Sequence, residues 1–276
     1  MQYSNPKIPE GINVSAESPL KDFFFMLLGV GLAVVLAIAL LMSLAEKLVT
    51  YIPFSVELKL AENFQQLNFS DASKEQQKIE QYLQGLSDEL ALSQQLPNEM
   101  KITIHYIDLD EVNAFATLGG HIVVFRGLLE KLPNENALAM VLAHEIAHIK
   151  HRDPIVAMGR GITVSIAIMS LMGIGDGVVS QQLIANVGLM TSLSFSRKQE
   201  SSADLEALKT LQQQYGHVAG AEVIFQLFMS ESDGLDMPVF LSTHPQSEER
   251  LAVVKNFDES ASGEKTLKNL PQWLSF

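Results

Sequence analysis

The sequence predicts an α+β domain, mainly helical with a small antiparallel sheet, preceded by one N-terminal transmembrane helix. Three observations carry that prediction. Phe23 to Ala45 is an uncharged run of 23 residues between Lys21-Asp22 and Glu46-Lys47, long enough to span a bilayer. Residues 71–92 carry apolar side chains at helical spacing, and residues 136–152 carry an apolar run without proline or glycine. Between them, residues 102–125 alternate in hydropathy and are broken by turn residues, as short strands are.

Taken in order, residues 1–21 form a polar tail, 22–45 the transmembrane helix, 46–70 a juxtamembrane connection and 71–276 the folded domain. A cleavable leader would have a shorter apolar region nearer the N-terminus and a small-x-small site after it. Asp71 to Leu92 places Ile79, Leu83, Leu86 and Leu90 on one helical face. Ile102 to Ile107 alternates, Val112 to Leu118 extends, and Ile122 to Phe125 is short and β-branched; Asp108 to Glu111 and Gly119-Gly120 turn between them. Ile162 to Leu193 reads as a helical hairpin that packs on the core or dips into the bilayer surface, because its apolar runs are short and interrupted by polar residues. The 231 residues that follow the apolar run suffice for a single core.

The formal charge of −13 comes without a basic cluster, which excludes a nucleic-acid footprint. There is no cysteine, so disulfides and thiolate metal ligands are excluded and any zinc is held by His and carboxylate.

His144-Glu145-Ile146-Ala147-His148 stands out against that background. The apolar run Leu138 to Ala143 precedes it, so the five residues sit on a buried helix. Two histidines four apart stack on one face of such a helix, and their ring nitrogens can converge on one zinc ion at about 2.0–2.1 Å. Glu145, beside the first ligand, is placed to take a proton from a water and pass it to a leaving amine.

A catalytic zinc normally takes a third protein ligand. A metzincin would continue the motif with glycine and histidine, but His151 and Pro154 stand at those positions. A glutamate from a second helix is the other common solution. Ser196 to Asp204 offers Glu200 as ligand and, one turn along, Asp204 as acceptor for the outer N–H of a ligating histidine. Ala203 and Ala207 are small enough to let that helix approach the first closely. The alternative reading of the segment is a solvated helix start capped by Ser194 or Ser196.

These segments resemble the zinc metalloendopeptidase family that includes HtpX and the CAAX prenyl proteases. Four stretches carry the resemblance: Asn113-Ala114-Phe115-Ala116 with Gly119-Gly120, His144 to His148, Ser196-Arg197 through Glu200 to Asp204, and Thr243-His244-Pro245 with Arg250. The resemblance implies that His144, His148 and Glu200 hold one Zn2+ and that Glu145 is the catalytic base and acid. It also implies that Asn113, Ala114, Phe115 and Ala116 form a substrate-binding edge strand, and that His244 and Arg250 act at the metal from a C-terminal loop. His244 would either stabilise the tetrahedral intermediate or close over the zinc as a self-inhibiting ligand. For Arg250 an exposed ion pair with Glu248 or Glu249 is the plainer alternative.

The expected protein is a membrane-anchored zinc metalloendopeptidase that cleaves unfolded or misassembled chains in protein quality control. Its partners would be extended polypeptides and the lipid bilayer; the sequence sets no oligomeric state. Lys7 and Lys21 on one flank of the apolar run balance Lys47 and Lys59 on the other, so charge leaves the orientation open. The resemblance favours a single-pass protein of a bacterial inner membrane with a periplasmic catalytic domain. Two rival readings are a zinc-bound chaperone or adaptor with suppressed proteolysis, and a processing protease for one membrane partner.

Overall fold

The computed structural model describes residues 19–49, 51–62, 73–171, 195–231, 244, 248–260 and 266–274. Most of the polar tail, residues 63–70 of the connection and residues 172–193 of the expected hairpin lie outside the described residues.

Helix α1 (Pro19–Val49) contains the apolar run. Its 31 residues make it about 46 Å long, more than the ~30 Å hydrocarbon core of a bilayer. Within Leu20–Leu48 an 18-residue window has a mean hydropathy of 2.9 and is unburied, so this helix is long and apolar enough to cross a membrane. Helix α2 (Phe54–Ala61) follows within the stretch expected to be a connection. It is ordered because it has a partner: buried Glu57 pairs with Arg152, and Arg152 also donates to the Ile52 carbonyl at 3.0 Å.

Helix α3 (Lys74–Ser93) opens on a capping box between Ser73 and Gln76 and buries Ile79, Leu83, Leu86 and Leu90, the face expected from the spacing. The sheet has three strands, β1 (Thr103–Ile107), β2 (Ala114–Ala116) and β3 (His121–Phe125), in the order β1-β3-β2. It is mixed, not purely antiparallel: β2 runs antiparallel to β3, but β1 runs parallel to it. Consecutive strands with short turns read as a meander. Here the 108–113 connection instead crosses the end of β3 before β2 begins, and Gly127 makes room for it. A Cβ at that position would lie 2.3 Å from the Asp110 carbonyl oxygen, and the Gly127 amide donates to the Leu109 carbonyl.

The outer edge of β1 is covered by side chains of α3. Gln84 bonds the Ile104 amide and the Ile102 carbonyl, and Glu80 accepts from the Tyr106 amide. The β2 edge lies on the opposite side of the sheet.

After α4 (Arg126–Lys131), helix α5 (Glu135–His151) runs through the centre of the domain with Asn134 as its N-cap. It packs against α3, against the sheet and against α7 (Arg197–Tyr215). Ala203 and Ala207 are fully buried at the α5–α7 contact, with Leu138, Leu142 and Leu208 around them; removing one such leucine to alanine costs about 2–5 kcal/mol. Arg152 ends α5 in a left-handed conformation, φ 64°, and α6 (Asp153–Leu171) leaves at once to pack along α1. Helix α8 (Ala221–Glu231) packs on α5, and α9 (Glu248–Ser260) packs on α7 and α8.

Candidate metal centre and active site

His144 and His148 lie one turn apart on α5, and each has its outer ring nitrogen against a carboxylate. His144 Nδ1 is 3.0 Å from Asp204 Oδ1, and His148 Nδ1 is 2.8 Å from Asp153 Oδ2. An ionised carboxylate only accepts, so both rings carry their proton on Nδ1 and turn the Nε2 lone pair inward. The two Nε2 atoms stand 3.0 Å apart in a site closed to solvent. Two lone pairs at that separation repel unless a cation lies between them.

Glu200 on α7 and His244 complete the ring of donors. Glu200 Oε2 is 3.5 Å from His144 Nε2 and Oε1 is 3.6 Å from His148 Nε2. His244 Nδ1 stands 3.1 Å from Glu200 Oε1 and 3.3 Å from His144 Nε2. The donors of these four residues all lie within 4.8 Å of one another and all four are buried. Donors bound at 2.0–2.1 Å to a tetrahedral ion stand about 3.3–3.4 Å apart, which falls inside the observed range. The donor set, nitrogen and carboxylate without sulfur, fits a metal ion.

Without a metal, protons and charges must balance in the same space. Burial disfavours a charged His144, yet its bonds to Asp204 and Glu200 outweigh that and push it up to about 10. Burial alone would also raise Glu200, but its bonds to His144 and His244 hold it below the usual carboxylate range. Burial lowers His148 and His244, and the carboxylates beside them only partly restore the proton.

Glu145 points from α5 toward the sheet. Its Oε2 accepts from the Ala116 amide at 2.7 Å; its buried Oε1 has no hydrogen-bond partner among the described residues and stands 3.5 Å from His244 Nε2. Burial raises its pKa, against the pull of His244 and His144. The Phe125 amide donates to the Asn113 carbonyl and the Thr117 amide to the His121 carbonyl. That register turns the Phe115 backbone toward β3 and the polar groups of Ala114 and Ala116 to the outer edge of β2. Asn113 Oδ1, next to this edge, is buried without a hydrogen-bond partner among the described residues.

The structure thus brings together His144, Glu145, His148, Glu200, Asp204, His244, Arg250 and the 113–116 strand. Arg250 is buried, unlike the exposed pair considered for it. Its Nε and Nη2 grip Asp204 at 2.6 and 2.8 Å, and Nη1 lies 2.9 Å from Glu200 Oε2. Burial opposes its charge and Asp204 more than restores it. The guanidinium orients the donor Glu200 and the Asp204 carboxylate behind His144, a positioning geometry more than a catalytic one.

Three residues escaped the sequence reading. Asp153 orients His148, Gln199 donates to Asp153 Oδ1 at 2.6 Å, and Phe195 stacks on the His148 ring with centroids 4.0 Å apart. An acid just beyond the last ligand of an H-E-x-x-H helix was a usable signal for Asp153. Phe195 left none.

A buried H-E-x-x-H helix, a carboxylate from the neighbouring helix and an edge strand beside the glutamate define a metalloendopeptidase domain. The chain belongs to Peptidase family M48, whose profile matches residues 73–258. It is similar to the mitochondrial metalloendopeptidase OMA1 of Schizosaccharomyces pombe, 30% identical over 163 residues, 58% of this chain and 48% of that one. The beta-barrel assembly-enhancing protease of Escherichia coli is 29% identical over 174 residues, 58% of this chain and 35% of its own. The metalloprotease LoiP of Escherichia coli is 30% identical over 151 residues, covering 53% and 58%. The matched region therefore spans between 35% and 58% of these relatives' lengths.

Proposed function

We propose that this protein is a membrane-anchored, zinc-dependent metalloendopeptidase that hydrolyses unfolded or misassembled proteins in quality control. Its single anchor would lie in residues 22–45 of a bacterial inner membrane, with the peptidase domain, residues 71–276, in the periplasm. The observation that carries the reading is the buried ring of His144, His148, Glu200 and His244 donors with Glu145 between it and the edge strand β2. The likeness to a beta-barrel assembly-enhancing protease supports the quality-control role, and the likeness to the metalloprotease LoiP supports the metal-dependent one.

His144, His148 and Glu200 would hold the zinc. When bound, it supplies Lewis-acid polarisation of the scissile carbonyl and acidifies a water at the site. Glu145 takes the proton of the attacking water on its unpartnered Oε1 and returns it to the leaving amine. Burial, by raising the pKa of this carboxyl, strengthens it as a base. Asp204 and Asp153 hold the imidazoles in the tautomer that ligates.

The substrate pairs as an added strand with the outer edge of β2. Side chains of α3 already satisfy the β1 edge, which leaves the outer edge of β2, where Glu145 holds the Ala116 amide, as the side on which a strand would be added among the described residues. Backbone pairing selects extended chains over particular side chains, which suits unfolded substrates.

His244 would offer a fourth donor to the ion, and its contacts of 3.1 Å with Glu200 and 3.3 Å with His144 favour the self-inhibiting role over oxyanion binding. His244→Ala is then expected to raise basal proteolysis with zinc retained; a turnover rate lowered roughly 10²–10³-fold would instead identify an oxyanion donor. The reading as a whole is tested by Glu145→Gln, which should keep zinc and fold but lose casein cleavage. Ordinary cleavage by that variant would end the proposed mechanism.

A further inference from the structure

A continuous line of side chains joins the foot of the apolar helix α1 to the donor ring. Glu46, at the last turns of α1, lies 3.3 Å from Arg160 Nη1 on α6. Arg160 Nη2 donates to Gln199 Oε1 at 2.7 Å. Gln199 Nε2 donates to Asp153 Oδ1 at 2.6 Å, and Asp153 Oδ2 receives His148 Nδ1 at 2.8 Å. We propose that Arg160 is a positioning residue that, through Gln199 and Asp153, fixes the His148 ring for metal binding and ties it to the foot of the N-terminal helix. The inference rests on the metal reading above.

A Gln amide can turn over, exchanging donor for acceptor at small cost, unless its partners choose. Here they do. Arg160 and the Ser196 amide, at 2.7 and 3.0 Å, both require an oxygen, which leaves the NH2 group for Asp153. Asp153 is buried, and with one oxygen held by Gln199 the other is aimed at His148. Arg160 is suited to this because its planar fork reaches two acceptors on different helices at once; an ammonium group is a single point. Its side chain is 17% exposed, so the bond to Gln199 is shielded from competing water. Helix packing works in the same direction. Helix α6 lies along α1, and Glu57 of α2 holds Arg152, the residue before Asp153. The corner between α5 and α6, where Asp153 stands, is braced from both segments that adjoin the anchor.

The test is zinc affinity of the full chain in detergent, measured by competition with a chromophoric chelator, with circular dichroism to check the fold. Arg160→Ala should weaken zinc binding about tenfold, the low end of the range for outer partners of a ligating histidine. Gln199→Ala should weaken it comparably, and the double variant should lose little more than either single one, because both act through Asp153. A merely structural role for Arg160 would lower the melting temperature of the metal-free protein and leave zinc affinity unchanged. If Arg160→Ala does not fold, Arg160→Lys serves, with an expected loss of about threefold because the ammonium satisfies only one acceptor. Zinc affinity within twofold of wild type in the folded variant, or fully additive losses, would overturn the inference. A wild-type chain that binds no zinc would instead overturn the metal reading itself.

Discussion

The two histidines of α5 are held from behind in different ways. His144 leans on Asp204, which is gripped by two nitrogens of the buried Arg250. His148 leans on Asp153, which is gripped by the neutral amide of Gln199 and only behind that by Arg160, whose partner Glu46 is about half exposed. The first support is an ion pair sealed in the core. The second runs outward to the helix that is long and apolar enough to enter a membrane. The centre is therefore backed by buried charges on its α7 side and linked to the foot of α1 on its α6 side.

Breaking the inner support should have the largest effect. Arg250→Ala leaves Asp204 and Glu200 buried without their cation, and losing one partner of a buried pair costs about 3–5 kcal/mol. Thermal denaturation should show a large loss of stability in the metal-free protein; a small change would mean that the Arg250 network is dispensable. Next come the donors and their direct supports. Glu200→Ala should abolish tight zinc binding, whereas Asp204→Ala should weaken it roughly ten- to a hundredfold. If chelator titration ranked these two in reverse, their roles would have to be exchanged. Asp153→Ala should fall at the mild end of the same range because its own support is neutral, and an effect larger than that of Asp204→Ala would invert the comparison. The smallest effect belongs to removal of residues 1–46, which takes away Glu46. The remaining domain should be soluble and still bind zinc, with affinity lowered only a fewfold, since a half-exposed ion pair is weak. Insolubility without detergent would show that the region around α6 also enters the bilayer.

The parts of this site that were legible in the sequence are those set by local spacing. His144, Glu145 and His148 are fixed by helical period. Glu200 and Asp204 sit four apart on a helix whose start Ser196 announces, and the small Ala203 and Ala207 forecast the close α5–α7 contact. What was not legible depends on where chain segments meet. Gln199 reads locally as half of a capping box; only the approach of Asp153, at the start of α6, turns its amide outward from the cap. Arg250 stands beside Glu248 and Glu249 in sequence, but folding carries it to carboxylates more than 40 positions away, 46 in the case of Asp204. The parallel pairing of β1 with β3 was hidden for a similar reason. Alternation marks a strand without saying on which side the next one lies, and the crossing that decides it depends on the space left at Gly127.

The central claim, that His144, His148 and Glu200 hold one zinc, is tested most directly by zinc K-edge X-ray absorption on the purified full chain together with its metal stoichiometry. The account predicts one zinc per chain, surrounded only by nitrogen and oxygen at about 2.0–2.1 Å with clear imidazole scattering, and a signal that vanishes in Glu200→Ala. Zinc bound with the same spectrum and stoichiometry in Glu200→Ala, or no zinc retained by the wild-type chain, would contradict it.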